Sequence, residues 1–155
     1  MVRFALGIGA MAMALPATAL ARSASAIMEV RLVVEPSCHV SAMPLAFAAG
    51  RVGQPMDAAS EIQVACNDDT PVAVRLDGGL DANGGNRRLT GEAGQVEYSI
   101  YSDPARTLRW NAGEAMTGTA GATPLTLAAY GRIDPGATLS ASGAYRDSII
   151  VTVDF

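Results

Sequence analysis

Few side chains in this sequence are able to do chemistry. Among 155 residues there are two cysteines, Cys38 and Cys66, and one histidine, His39. A zinc centre takes about four ligands, and these residues supply only three. A histidine base needs a nucleophile and an orienting partner within reach. Ser37 and Ser41 flank His39, but strand alternation would place 37, 39 and 41 together on one exposed face. Asp68, Asp69, Asp77, Asp81 and Asn83 bring oxygen ligands, yet their spacing is irregular for a calcium loop of about six to eight oxygens. Turn formation explains them. Arg87-Arg88, beside a Gly-rich stretch, reads as packing and solvation before it reads as an anion site. Tyr98, Tyr101, Trp110 and Tyr130 are the raw material of a sugar platform, but aromatics on strands more often fill cores and edges. Nucleophile-elbow, P-loop and metalloprotease motifs are missing from the sequence. No enzyme, cofactor or metal is expected.

What remains is the cysteine pair, and its chemistry depends on the compartment. Arg3 followed by the apolar run FALGIGAMAMAL, Pro16 and small residues has the form of an export signal. Cleavage fits after Ala26, giving a signal over residues 1–26 and a domain over 27–155, or alternatively after Ala21. The apolar run is shorter than the roughly 20 residues of a membrane span, so no transmembrane segment is expected in the mature chain. In an oxidising compartment a Cys38–Cys66 disulfide is the default. Chain entropy puts its contribution at about 3–4 kcal/mol. Loss of Arg3 and Arg22 leaves nine Arg and no Lys against fifteen Asp and Glu. An acidic domain without a basic patch excludes phosphate-backbone binding, hence no nucleic acid, and offers nothing to anionic lipid.

The elements that would carry this staple are short alternating runs between Gly, Pro, Asn and Asp, the pattern of an all-β chain. Residues 28–34 alternate, with Met28, Val30, Leu32 and Val34 on one face. Residues 39–47 form an irregular extended stretch. Further strands are expected over 61–66, 72–76, 96–101 and 125–130, and 116–124 reads as loop. Residues 145–155 are the cleanest strand, with Ile149, Val151, Val153 and Phe155 on one face. About seven strands in one domain fit a sandwich.

The two ends raise a physical question. An alternating strand running to Phe155 has nothing after it to pair with, and an open apolar edge is a hazard that proteins normally blunt. A second alternating strand opens the mature chain. Either it folds back and closes its own sandwich, or the strand of one copy adds to the edge of another, with main-chain hydrogen bonds giving affinity and alternate side chains filling pockets.

The ordered motifs resemble the spore coat protein U domain family, which includes subunits of archaic chaperone–usher (Csu-type) pili. Val34-Glu35-Pro36-Ser37-Cys38-His39-Val40-Ser41 is similar to the family's opening cysteine strand. Pro44-Leu45-Ala46-Phe47, the second cysteine strand ending at Cys66, and Gly85-Asn86-Arg87-Arg88-Leu89 follow in the family's order. So do Tyr98-Ser99-Ile100-Tyr101-Ser102-Asp103, Tyr130-Gly131-Arg132-Ile133, and Tyr145-Arg146-Asp147-Ser148 through Phe155. Asn111 after Trp110 and Ala129 before Tyr130 depart from the family's usual Gly and Val. The resemblance implies an incomplete immunoglobulin-like β-sandwich completed by a donor strand from another chain. It implies a periplasmic pilus chaperone, an outer-membrane usher and other copies or related subunits as partners. It assigns Met28, Val30, Leu32 and Val34 to the donor strand and Ile149, Val151, Val153 and Phe155 to the acceptor edge that a chaperone would contact. The implied role is a shaft or adaptor subunit of a surface pilus serving adhesion and biofilm formation. The alternative is a self-closed secreted binding module for carbohydrate.

Overall fold

The computed structural model describes residues 22–49, 54–92, 94–137 and 142–155. The chain divides into two units, Met1–Val33 and Val34–Phe155. The expected export signal lies almost wholly outside the described residues. In the first unit, residues 22–33 form no strand, and Ile27, Met28, Val30, Leu32 and Val33 are exposed. The strand expected over 28–34 is therefore not formed within this chain. The physical reason is that alternation only specifies which face would be buried; a strand exists once a neighbour supplies its ladder.

The second unit is all-β. Its strands are β1 (Cys38–Ala42), β2 (Met56–Cys66), β3 (Thr70–Leu76), β4 (Arg87–Gly91), β5 (Gly94–Tyr101), β6 (Ala115–Ala120), β7 (Leu125–Ile133) and β8 (Val151–Asp154). They form two antiparallel sheets, of order β1-β2-β7-β5-β4 and β6-β3-β8. The inner faces are the apolar alternations of the sequence: Ile62 and Val64 of β2, Val72, Val74 and Leu76 of β3, Val96, Tyr98 and Ile100 of β5, and Leu127, Ala129 and Ile133 of β7. Each fully buried aliphatic side chain contributes about 1.5–3 kcal/mol. Trp110, 1 % exposed, closes one end and donates from Nε1 to the Glu114 carbonyl at 3.0 Å. The Cys38–Cys66 disulfide joins directly paired residues of β1 and β2, holding the edge strand β1 in register.

Residues 115–120, mostly within the expected loop, are a strand. Met-Thr-Gly-Thr-Ala lacks the bulk that advertises a core face, yet it pairs with β3 from Arg75 to Thr70. Its glycine is required by packing, because a Cβ on Gly118 would lie 2.6 Å from the Leu125 side chain. The C-terminal strand is shorter than its pattern: β8 is only four residues long, and residues 147–150 are held by other means.

Candidate functional site

β8 sits at the end of its sheet. Among the described residues it pairs with β3 alone, from Leu76–Val151 to Ala73–Asp154, and no strand lies along its other edge. Beside that edge lies an apolar cavity of about 320 Å³. One wall is the end of the C-terminal strand, Ile149 and Val151; the floor is Ile62, Ala129, Ile100 and Leu89 of the five-stranded sheet. The opposite wall is a strap over residues 43–47. Its start is tied to β2 by Met43 N–H donating to the Glu61 carbonyl at 2.9 Å and by the Ser60 hydroxyl donating to the Met43 carbonyl. Leu45 and Phe47 then cross over Gly131, where an added Cβ would lie 2.8 Å from Phe47. Phe47 ends edge-on to Tyr98, ring centroids 6.0 Å apart.

The cavity is mainly apolar; apart from Ser60, whose hydroxyl is engaged by Met43, its polar lining side chains are Tyr98 and Asp147. There the chain crosses from one sheet to the other. Arg146 bridges Thr90 of β4 through two main-chain bonds of 2.9 and 2.8 Å. Beyond it, side-chain carboxylates replace the ladder. Asp147 accepts from the Tyr98 hydroxyl at 2.7 Å, from Leu80 N–H at 3.0 Å and from Ser148 N–H at 2.7 Å. Asp77 accepts from Gly79 N–H at 3.0 Å and from Ile150 N–H at 2.9 Å. Gly79 is needed here: its φ is 84°, and a Cβ would overlap the Asp147 carboxylate. Burial, and then the bond to Asp147, push the Tyr98 phenol far above its usual range, so it stays a donor.

Beneath this junction Arg87, 5 % exposed, donates from Nε to the Asp77 carbonyl at 3.0 Å and from Nη1 to the Trp110 carbonyl at 2.7 Å. Burial lowers its pKa, and the nearby Tyr98, Asp77 and Asp147 oppose that shift. The sequence reading of Arg87 as one of two solvated or packing arginines divides accordingly: Arg87 is a buried clasp, while Arg88 faces Gln95 and Glu97 at the surface.

The comparisons with known proteins bear on this arrangement. The family model described as Spore Coat Protein U domain matches residues 24–152. The chain belongs to the Spore Coat Protein U domain family. No curated protein sequence matches it. Among solved structures, it is similar to the CsuC–CsuE chaperone–tip adhesion subunit pre-assembly complex from the archaic chaperone–usher Csu pili of Acinetobacter baumannii. The similarity has a TM-score of 0.63 at 23 % identity, over 79 % of this chain and 40 % of that one. The present chain thus spans about two-fifths of that structure's chain. The fold is that of an incomplete immunoglobulin-like sandwich.

Ile149, Val151 and Val153 are half-buried and pack against the core, while Phe155 is 61 % exposed. Met28, Val30 and Leu32 are exposed in the first unit, and Val34 is exposed at the start of the second. Three of the four candidate platform aromatics, Tyr98, Tyr101 and Trp110, are buried and offer no open face for a sugar. His39 is exposed on β1. Sequence reasoning missed the strap over 43–47 and the Arg87–Tyr98–Asp147 junction. The strap's signals were the irregular stretch over 39–47 and the family-like Pro44-Leu45-Ala46-Phe47 step; those of the junction were the Arg87-Arg88-Leu89 and Tyr145-Arg146-Asp147 steps.

Proposed function

We propose that this protein is an exported, non-enzymatic structural subunit of a chaperone–usher surface pilus, in a shaft or adaptor position, assembled by donor-strand complementation. The observation that carries this reading is the open edge of β8 beside an apolar cavity with half-buried Ile149 and Val151 on its wall. A strand laid along that edge pairs its main chain with β8 and buries alternate side chains in the cavity. The occupant is the segment presenting Met28, Val30, Leu32 and Val34 in a second copy or a related subunit. Those side chains are apolar, alternate and exposed. Before assembly a periplasmic chaperone covers the same edge, and an outer-membrane usher exchanges it for the donor. Adhesion and biofilm formation are the processes served at the cell surface.

The test is deletion of residues 27–34 in cells that express the chaperone and usher. The expected result is a subunit that still co-purifies with the chaperone but no longer forms polymers. Polymers of the deleted chain, or a stable monodisperse monomer made without any chaperone, would refute the reading.

A further inference from the structure

The groove that takes the donor is apolar along most of its length and polar at one end, and this asymmetry bears on register. Every strand pair in the second unit is antiparallel. A donor antiparallel to β8 arrives with its C-terminal end at Asp147. Inward positions along the acceptor are 149, 151, 153 and 155; along the donor they are 28, 30, 32 and 34. A slip of one residue turns every apolar side chain outward. Slips of two remain, and they must be decided by the ends.

We propose that the Tyr98–Asp147 pair is the stop that sets donor register, seating Val34 of a second copy opposite Ile149 and Pro36 opposite Asp147. This deepens the donor-strand reading and rests on it. Leu32 then faces Val151, so the two deepest donor side chains fill the cavity walled by Ile149 and Val151. Val30 faces Val153 and Met28 faces Phe155. Sliding the donor two residues deeper sets the Val34 isopropyl group against a carboxylate and a phenol hydroxyl, which it desolvates without bonding. Asp147 is held in place by Tyr98, Leu80 and Ser148, so it cannot swing clear without losing those bonds. Sliding it two residues the other way brings Pro36, which has no N–H for the ladder, opposite Ile149. In the seated register Pro36 lies opposite Asp147 and Glu35 opposite Ser148, whose N–H is already turned onto the Asp147 carboxylate, so the ladder ends on both strands together. On the outer face Glu29 meets Asp154, a like-charge contact offset by Arg75, which pairs with Asp154, and by Arg31 on the diagonal.

The test uses the full-length subunit, purified with its chaperone, and synthetic peptides of residues 26–37. The subunit carries Ile149→Cys, and the peptides carry Leu32→Cys, Val34→Cys or Pro36→Cys. Cross-linking under mild oxidation is expected to favour the Val34→Cys peptide at least tenfold over each of the others. In the Asp147→Ala background the deeper register, in which Leu32 meets Ile149, is no longer excluded, so the advantage over the Leu32→Cys peptide is expected to fall to about twofold, while that over the Pro36→Cys peptide is retained. A ratio near one with Asp147 intact overturns the proposal without any variant at that position, so a misfolded Asp147→Ala subunit does not shield it. An Asp147→Ala ratio as high as that with Asp147 intact overturns it too. Peptides that displace the chaperone without register preference refute the stop alone; failure of every peptide to displace the chaperone refutes the donor-strand reading with it.

Discussion

Arg87 is the residue whose replacement best measures the junction at the end of the groove. Its guanidinium is buried and donates two hydrogen bonds to main-chain carbonyls, to Asp77 at 3.0 Å and Trp110 at 2.7 Å. Arg87→Ala strands both acceptors, at about 1–3 kcal/mol each. It also removes the two stem methylenes beyond Cβ, worth about 0.8 kcal/mol each when buried. Against this stands relief of a desolvated cation, whose Nη2 makes no hydrogen bond among the described residues. The net loss should resemble that of breaking a buried ionic contact from one side, about 3–5 kcal/mol. Arg87→Met keeps the stem and loses the bonds, so it should recover about 1–2 kcal/mol of that loss, its methylenes being retained.

The measurement is equilibrium urea unfolding of the subunit with residues 27–36, the proposed donor, fused through a flexible linker after Phe155 in every variant. A loss of 3–5 kcal/mol is about a fifth or more of the roughly 5–15 kcal/mol of a typical domain, and a large shift in midpoint is expected. A loss below about 1 kcal/mol for Arg87→Ala would mean that water replaces the guanidinium at both carbonyls, as surface substitutions allow. The clasp would then be incidental to the fold.

Replacing both cysteines by serine should lower stability by about 3–4 kcal/mol and free β1 at its paired end; urea unfolding of the oxidised and variant proteins checks it, and a difference under 1 kcal/mol would count against the staple. Gly131→Ala should push Leu45 and Phe47 off the floor they cross, at about 1–3 kcal/mol of overpacking; peptide binding should weaken with it, and unchanged binding would show that the strap is not a wall of the groove. Asp57 accepts from Arg132 Nε and Nη2 at 2.7 and 2.9 Å, which holds its carboxyl below the ordinary value of 3.8. A depressed folded pKa means its contribution is full above that value and is lost as pH falls through the folded pKa. Stability of Asp57→Asn should therefore fall less steeply than wild type below about pH 4, by acid titration in fixed urea; parallel curves would refute the pairing.

The core was legible because its strands carry bulky apolar residues at period two: Ile62 and Val64, Val72 and Val74, Val96 and Tyr98 all face inward as their spacing says. β6 was not, because its contact with β7 requires the absence of a side chain at Gly118, and absence leaves no hydrophobic signal. The alternation over 145–155 told which face is buried but not what holds the backbone. Residues 147–150 are tied by Asp77 and Asp147, and a hydrogen bond between segments some 70 residues apart in sequence leaves no local pattern. The partners that bury Arg87 were not legible for a related reason. Its burial depends on carbonyls from two loops, and neither loop announces that it lacks a donor.

The proposal that β8, and not another strand, is the assembly edge draws on how the remaining edges are finished. β1 shows an exposed, mostly small or polar strand, Cys-His-Val-Ser-Ala, and is anchored by the disulfide. β4 is covered at Thr90 by the crossing chain, through the bridge to Arg146. β6 offers Thr117 and Thr119 outward and Gly118 between them, a surface with little apolar area to bury. Those are the ordinary ways of blunting an edge. β8 has none of them: no bridge covers its free side among the described residues, and Ile149, Val151 and Val153 remain only half-buried. An edge left both unpaired and apolar is unstable toward whatever strand reaches it first. The polar end at Tyr98 and Asp147 then has a purpose that the apolar stretch cannot serve. Aliphatic pockets accept neighbouring registers with little discrimination, whereas a fixed carboxylate penalises the register that sets an aliphatic side chain against it, which desolvates the carboxylate without bonding it.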